Sequence, residues 1–486
     1  MLKELYLKDL YGYLADRRML FVILAVFLMM LIVGLVFIGN YQQRIGFYEE
    51  YLRKNQDNIR VDMNNFALKK ALATFMDQPM VEQNTLCDLV FLEQNLLKKP
   101  TSLSFISEAE DHLLPNGIRM SYFNMSNPEF FKTPNIMNSS ITIDWRNVFI
   151  WLISLVCICF AYNAFSGERA QGTLKLMLSN SVRRSDILMA KLLSIVTMIS
   201  IPVVIGMVFD MLLINLFCKT LTTGWHEALL CLIFFVCSLL FACFNVLVCF
   251  LVSLRVKETS AGLNICLLIW IALAIIIPNT GWLAAKKLHP IPSMSSLNEE
   301  EERQKDAASK NYSRSWDTRW QGGPPHEKVY DREKYSQNMT DIHRKIWDNY
   351  RQDIFHQANQ AVLFSSISPF SSFRFASEKI ADNGYAGYKN FYLQVVNYAF
   401  VYQNFIKEKD MQDSESYHLI WDEPLRTQSF MSNLPVNYGE VPQFTYVSPT
   451  IDKTVKSIIG DFLFLSFLCI ALFVTVFILF IKYDVS

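Results

Sequence analysis

The sequence predicts a mainly α-helical membrane protein: six transmembrane helices, an N-terminal interfacial helix, a short cytoplasmic helix and two mostly helical extracytoplasmic insertions. Three observations carry this. The 486 residues are 52% hydrophobic and 19% charged, the balance of an integral membrane protein with substantial polar parts. Six apolar runs are each long enough to cross a hydrocarbon layer of about 30 Å. Basic residues gather at one side of those runs.

Residues 1–18 (MLKELYLKDLYGYLADRR) place Leu2, Leu5, Tyr6, Leu10, Tyr13 and Leu14 at helical spacing, with Lys3, Lys8 and Asp9 between them. This is the pattern of a helix lying along the membrane surface. The run at 19–39 lacks a small-residue cleavage site and reads as a retained first span rather than a signal peptide. Spans two to six occupy 148–165, 192–217, 229–252, 261–283 and 457–481. Pro202 and Pro278 fall in two of them, where neighbouring helices can satisfy the freed carbonyls. Six spans put both termini on one side. Arg17 and Arg18, the segment 166–191, Arg255 with Lys257, and Lys482 share that side, which the positive-inside rule makes cytoplasmic.

Two large insertions then face outward. The first, 40–147, opens as a helical continuation of span one and changes character at Pro100, with Pro115, Pro128 and Pro134 punctuating short runs. The second, 284–456, opens on a charged stretch and holds two aromatic-rich helical segments, 332–360 and 372–412. Trp316, Trp320, Trp347 and Trp421 read as core or interface anchors. Eight of the ten cysteines lie inside apolar runs as small hydrophobes, so no disulfide framework is expected. A net charge of zero gives no support to nucleic acid as a partner.

Several kinds of chemistry find no motif. There is no G-x-x-x-x-G-K-[ST] loop, no G-x-S-x-G and no H-E-x-x-H, and the seven histidines are scattered without metal-ligand spacing. Within the spans, Asp210 is the one acidic residue well inside an apolar run, which makes it a candidate transport-path group. It also lies about two turns from the outer end of its span, where local pairing would suffice. Asn163, Asn245 and Asn264 are expected to hydrogen-bond between helices.

The most patterned polar stretch is 166–191, SGERAQGTLKLMLSNSVRRSDILMAK. Arg169, Lys175, Arg183, Arg184 and Lys191 face only Glu168 and Asp186. Gly172 permits close backbone approach at the start of a short helix with an apolar patch from Thr173 to Leu178. Ser179, Asn180 and Ser181 end that helix by competing for backbone hydrogen bonds, and Ser185 or Asp186 is placed to cap the next span. On these grounds alone the stretch fits an ordinary basic loop as well as a docking element.

Glu168-Arg169, Gly172-Thr173-Leu174, the apolar Leu176, Met177 and Leu178, the polar turn, Arg183 or Arg184, and Lys191 resemble the cytoplasmic loop of ABC-2-type ABC transporter permeases. The usual proline after the polar turn is replaced by Ser181-Val182. Ser368-Pro369-Phe370 through Phe375-Ala376, Gly384 and Phe391 resemble a motif of the subgroup with large outer loops after spans one and five.

The resemblance implies a permease subunit, with export the expected direction. Its short helix would be a coupling helix gripped by a separate ABC ATPase subunit. The implied contacts are Glu168, Arg169, Gly172, Thr173, Leu174, Leu176, Met177, Leu178, Arg183 and Arg184, with Arg255, Lys257 and Glu258 as a second, weaker set. ATP and Mg would bind that partner, leaving this chain without a cofactor or enzymatic activity of its own. A second permease copy or a paralogue would complete a dimer in the lipid of the plasma (inner) membrane. The alternative is an ATPase-driven mechanical device acting on an extracytoplasmic partner without transport.

Overall fold

In hydrocarbon every backbone N–H and C=O must find its partner within the segment, so apolar runs of this length fold as helices. The computed structural model describes residues 2–74, 86–108, 114, 116–123, 125, 143–179, 183–218, 224–310, 326–414, 416, 418, 431–432, 436 and 438–482. Among them, six helical segments are long and apolar enough to cross a membrane. Trp316, Trp320, Trp421, Pro115, Pro128, Pro134 and the turn residues Asn180, Ser181 and Val182 lie outside the described residues.

Helix α1 (Leu2–Ala15) precedes α2 (Arg17–Thr74), which carries span one and continues unbroken beyond it. Next come α3 (Leu86–Phe91) and two strands, β1 (Gln94–Leu97) and β2 (Gly117–Met120), paired antiparallel with Gln94 opposite Met120. Span two consists of α4 (Trp145–Asn147), a π-turn at Val148–Ile153 and α5 (Ser154–Ala161). Helices α6 (Ser166–Ala170) and α7 (Thr173–Ser179) form the loop, and α8 (Arg184–Phe217) and α9 (Trp225–Arg255) are spans three and four. Span five is α10 (Thr259–Ile271), a π-turn at Ala272–Ile276 and α11 (Ile277–Leu288). The second insertion holds α12 (Met294–Ser309), α13 (His326–Ser365), α14 (Pro369–Ala381) and α15 (Gly384–Met411), and α16 (Ile451–Ile481) is span six.

Glycines line the contact between spans one and three. A Cβ at Gly206 of α8 would sit 2.7 Å from the Met30 Cβ, and one at Gly34 of α2 would collide with the Asp210 carboxylate. Small residues thus let α2 and α8 lie against each other, the usual way of gaining contact where lipid supplies no hydrophobic drive. The asparagines behave otherwise than the sequence suggests. Asn245 donates to the Phe241 carbonyl of its own helix at 2.8 Å, and Asn163 and Asn264 are exposed. An amide four residues from a backbone acceptor needs no second helix.

The two insertions close over a common core. Leu86, Leu89, Val90, Leu96, Ile118 and Met120 pack with Phe391, Val395, Tyr402 and Ile406 of α15. The Tyr402 hydroxyl donates to the Leu89 carbonyl and that of Tyr398 to Gln94 Oε1, each at 2.7 Å. Asn383 fastens the base: its amide nitrogen donates to Ser104 Oγ (3.0 Å) and the Ser107 carbonyl (2.9 Å), while Oδ1 accepts from Thr101 (3.0 Å). These contacts make one outer unit from segments that four membrane spans separate in sequence.

One segment departs from the expected topology, in which all of 284–456 stays outside the bundle. The end of α13 and the start of α14 turn down into it. Phe373 stacks on Phe241 of α9 at 4.6 Å, and Phe370 meets the same ring edge-on at 4.9 Å. Phe241 lies seven residues, about 10 Å along the helix, deeper than Phe234, which stacks on Trp145 at the start of span two. Leu363 and Ile367 at this elbow stay exposed, as lipid-facing side chains would.

Farther out, α12 is fastened to α13 through one carboxylate. Glu301 accepts from Lys305 (2.6 Å), His343 (2.9 Å) and Trp347 (2.8 Å). Burial opposes its charge, but these donors together hold its pKa down to about 2, from an ordinary 4.5. With the folded-state value depressed, the tie is at full strength above about pH 4.5 and is lost as pH falls toward 2. Limited proteolysis should release α12 progressively over that range, and Glu301→Gln should abolish the pH dependence.

Candidate functional site

The loop between spans two and three is built on the ends of other spans. The last carbonyls of a helix have no intrahelical donors. Arg169 of α6 supplies two at the end of α9, donating to Leu254 O (3.1 Å) and Val256 O (3.3 Å). Arg184 does the same for α16, donating to Phe480 O at 3.0 Å and to Ile481 O. Cations at helix C-termini also meet the favourable end of the macrodipole. Ser253 Oγ of α9 accepts the backbone N–H groups of Phe165 (3.1 Å) and Ser166 (3.0 Å). Glu168 pairs with the buried Lys191 at 2.7 Å, bracing α6 against α8.

Gly172 sits between α6 and α7 at φ +72, a left-handed conformation that glycine adopts without cost, and Thr173 Oγ1 donates to Glu168 O across the turn (3.2 Å). The turn sets how α7 faces. Leu174 is 2% exposed and belongs to the main core, with Met177 and Leu178 half-buried beside it, whereas Leu176 is 68% exposed. Lys175, Arg183, Arg255, Lys257 and Glu258 are exposed at the same end, and Lys8 of α1 reaches Met177 Sδ at 3.9 Å.

The structure therefore splits the sequence-nominated set. Glu168, Arg169, Arg184 and Leu174 hold the loop onto the bundle. Thr173, Leu176 and Arg183, with Gly172, are on its open side. Ser253 and Lys8 are structural partners that sequence reading missed: a serine inside an apolar run and a lysine on a surface helix carry no distinguishing pattern.

At the opposite end, Asp210 is fully buried and accepts from Trp145 Nε1 at 2.8 Å, while its Oδ1, turned toward Gly34, has no hydrogen-bond partner among the described residues. This is the local pairing that its place near the span end allows. Around it runs a polar belt. Arg44 of α2 pairs with Glu108, whose N–H donates to Asp144 at 2.8 Å. Asp144 caps α4 and lies 3.6 Å from Arg146, which reaches Glu378 of α14 at 2.9 Å. Lys379 then meets Asp461 of α16 at 2.7 Å. Burial pushes Asp144 up to about 6, against the pull of Arg146 and two backbone amides.

The comparison with protein families fits this six-span fold. The model of the ABC-2 family transporter protein matches residues 5–485. The chain belongs to the ABC-2 transporter family. As a member of that family it is an integral membrane permease subunit of an ABC transporter. Comparison with curated proteins gives no match. The matched range of this ABC-2 permease runs across both large insertions.

Proposed function

We propose that this permease couples ATP hydrolysis on a separate ABC ATPase subunit to export across the plasma membrane, with the loop end cytoplasmic and a second permease completing the complex. ATP and Mg bind the partner, for the chain has no phosphate loop of its own. The observation that carries this is the exposure of Leu176 on α7, between Arg169 of α6 and Arg184 of α8, which bind the ends of spans four and six. A pull on α7 would pass to those two spans through α6 and α8. Since Arg169, Arg184 and Lys191 are engaged within the permease, the surface around Leu176 is set by Lys175, Arg183, Arg255 and Lys257, opposed by Glu258. The matching ATPase cleft is apolar at its centre and acidic at its rim.

The test is affinity purification of the full-length chain, with ATP hydrolysis measured on the retained complex. Hydrolysis should stay with the permease at 50 mM salt and leave it steeply toward 500 mM, as screened charge pairs do. Lys175→Glu with Arg183→Glu should release it even at 50 mM. A permease that never retains ATPase activity would refute the reading.

The polar belt favours a second reading. It fastens the outer unit to spans one, two and six, so the same stroke could work on an extracytoplasmic partner with nothing crossing the bilayer. A solvent-filled path through the assembled complex decides for export and its absence for the mechanical device.

A further inference from the structure

We infer that span five is hinged at residues 272–278 and that its outer half moves with α12 and α13 as one lever. The backbone shows why it bends there. In the π-turn the N–H of Ile277 is spent on the Ala272 carbonyl, five residues back. The next residue, Pro278, has no N–H to give to Leu273. That orphaned carbonyl is taken by a side chain from outside the span: Ser368, at the elbow between α13 and α14, donates to Leu273 O at 2.5 Å. Three further side chains serve the same window. Asn279 donates to Ile275 O (2.7 Å), Thr280 to Ile277 O (2.9 Å) and Ser365 to Pro278 O (3.0 Å). A proline beside a π-turn is a recognised cause of sharp bending, and here side chains supply the missing donors.

Packing on the two sides of the hinge is unequal. Within this chain 11% of the apolar stretch of span five is buried, against 56% for span four. The outer half of span five is joined to α13. A Cβ on Gly281 would lie 2.7 Å from the Ser365 backbone nitrogen, and Gln357 of α13 donates to His289 O at 2.5 Å. Glu301 adds α12 to the same body. By contrast, α14 is anchored in the bundle through Phe370, Phe373 and Glu378. The lever thus has two adjacent pivots, the π-turn and the elbow 366–368, and the Ser368–Leu273 bond is the clasp that joins them.

Hydrogen exchange of the full-length permease in lipid nanodiscs, read by mass spectrometry, tests this without the ATPase. Ser368→Ala removes one hydrogen bond and should speed exchange across 272–281 by roughly fivefold. Pro278→Ala returns an N–H to Leu273 and should slow exchange there. In both variants α9, α16 and the interior of α13 should exchange as in the wild type, the last because a lever moves without unfolding. Unchanged exchange at 272–281 in both variants would overturn the hinge. Exchange in α13 rising together with 272–281 would overturn the lever.

Discussion

Arg146→Met should destabilise the permease by about 3–5 kcal/mol, the cost of removing one partner from a buried charge pair. Arg146 is 4% exposed and stands between Asp144 (1%) and Glu378 (3%), so its loss strands two carboxylates in a site with little water. The effect should appear as a large drop in thermal unfolding midpoint in detergent. Arg146→Lys should recover part of it, since an ammonium restores the charge but not the reach to both carboxylates. Adding Glu378→Gln to Arg146→Met should also recover stability. Independent, additive losses in the double variant would show that the belt is not one network.

The second large effect separates two leucines that sequence places two residues apart. Leu176→Asp should leave folding and membrane insertion intact while weakening ATPase association by roughly 30-fold or more, the scale of losing a hot-spot contact. Leu174→Asp should fail earlier. It buries a carboxylate where a core side chain was and should unfasten the α6–α7 loop, seen as protease cleavage between Ser166 and Arg183 before any binding is measured. Equal behaviour of the two variants would remove the distinction between the buried and exposed faces of α7.

Much of this molecule is legible in its sequence, for reasons that also explain the failures. The spans follow from length and hydropathy because the bilayer imposes both. The loop motif is legible as a motif, yet its charges mislead. Arg169 and Arg184 look available to a partner, and only the fold brings them to the last carbonyls of α9 and α16, acceptors 85 and 296 residues away in the chain. The descending elbow at 361–376 is interrupted by six polar residues and is too short for a span, so no hydropathy window marks it. The π-turns in spans two and five leave no sequence trace beyond Pro278. Asp210 is conspicuous in its apolar run, but its partner Trp145 falls within the last residues of the stretch 40–147 that the sequence assigns to the first insertion.

The shared core of the outer unit has a consequence for how the protein is made. The Leu89 carbonyl has the N–H of Leu92 at hand, but its tie to Tyr402 comes from 313 residues later in the chain. At about 5–20 residues per second, the first insertion spends roughly 15–60 s without the surface that covers Leu86, Val90 and Ile118. During that interval its apolar face and the β1–β2 edges are open to aggregation and proteolysis. Biogenesis of this permease is therefore expected to depend on folding helpers in the compartment that receives the insertions.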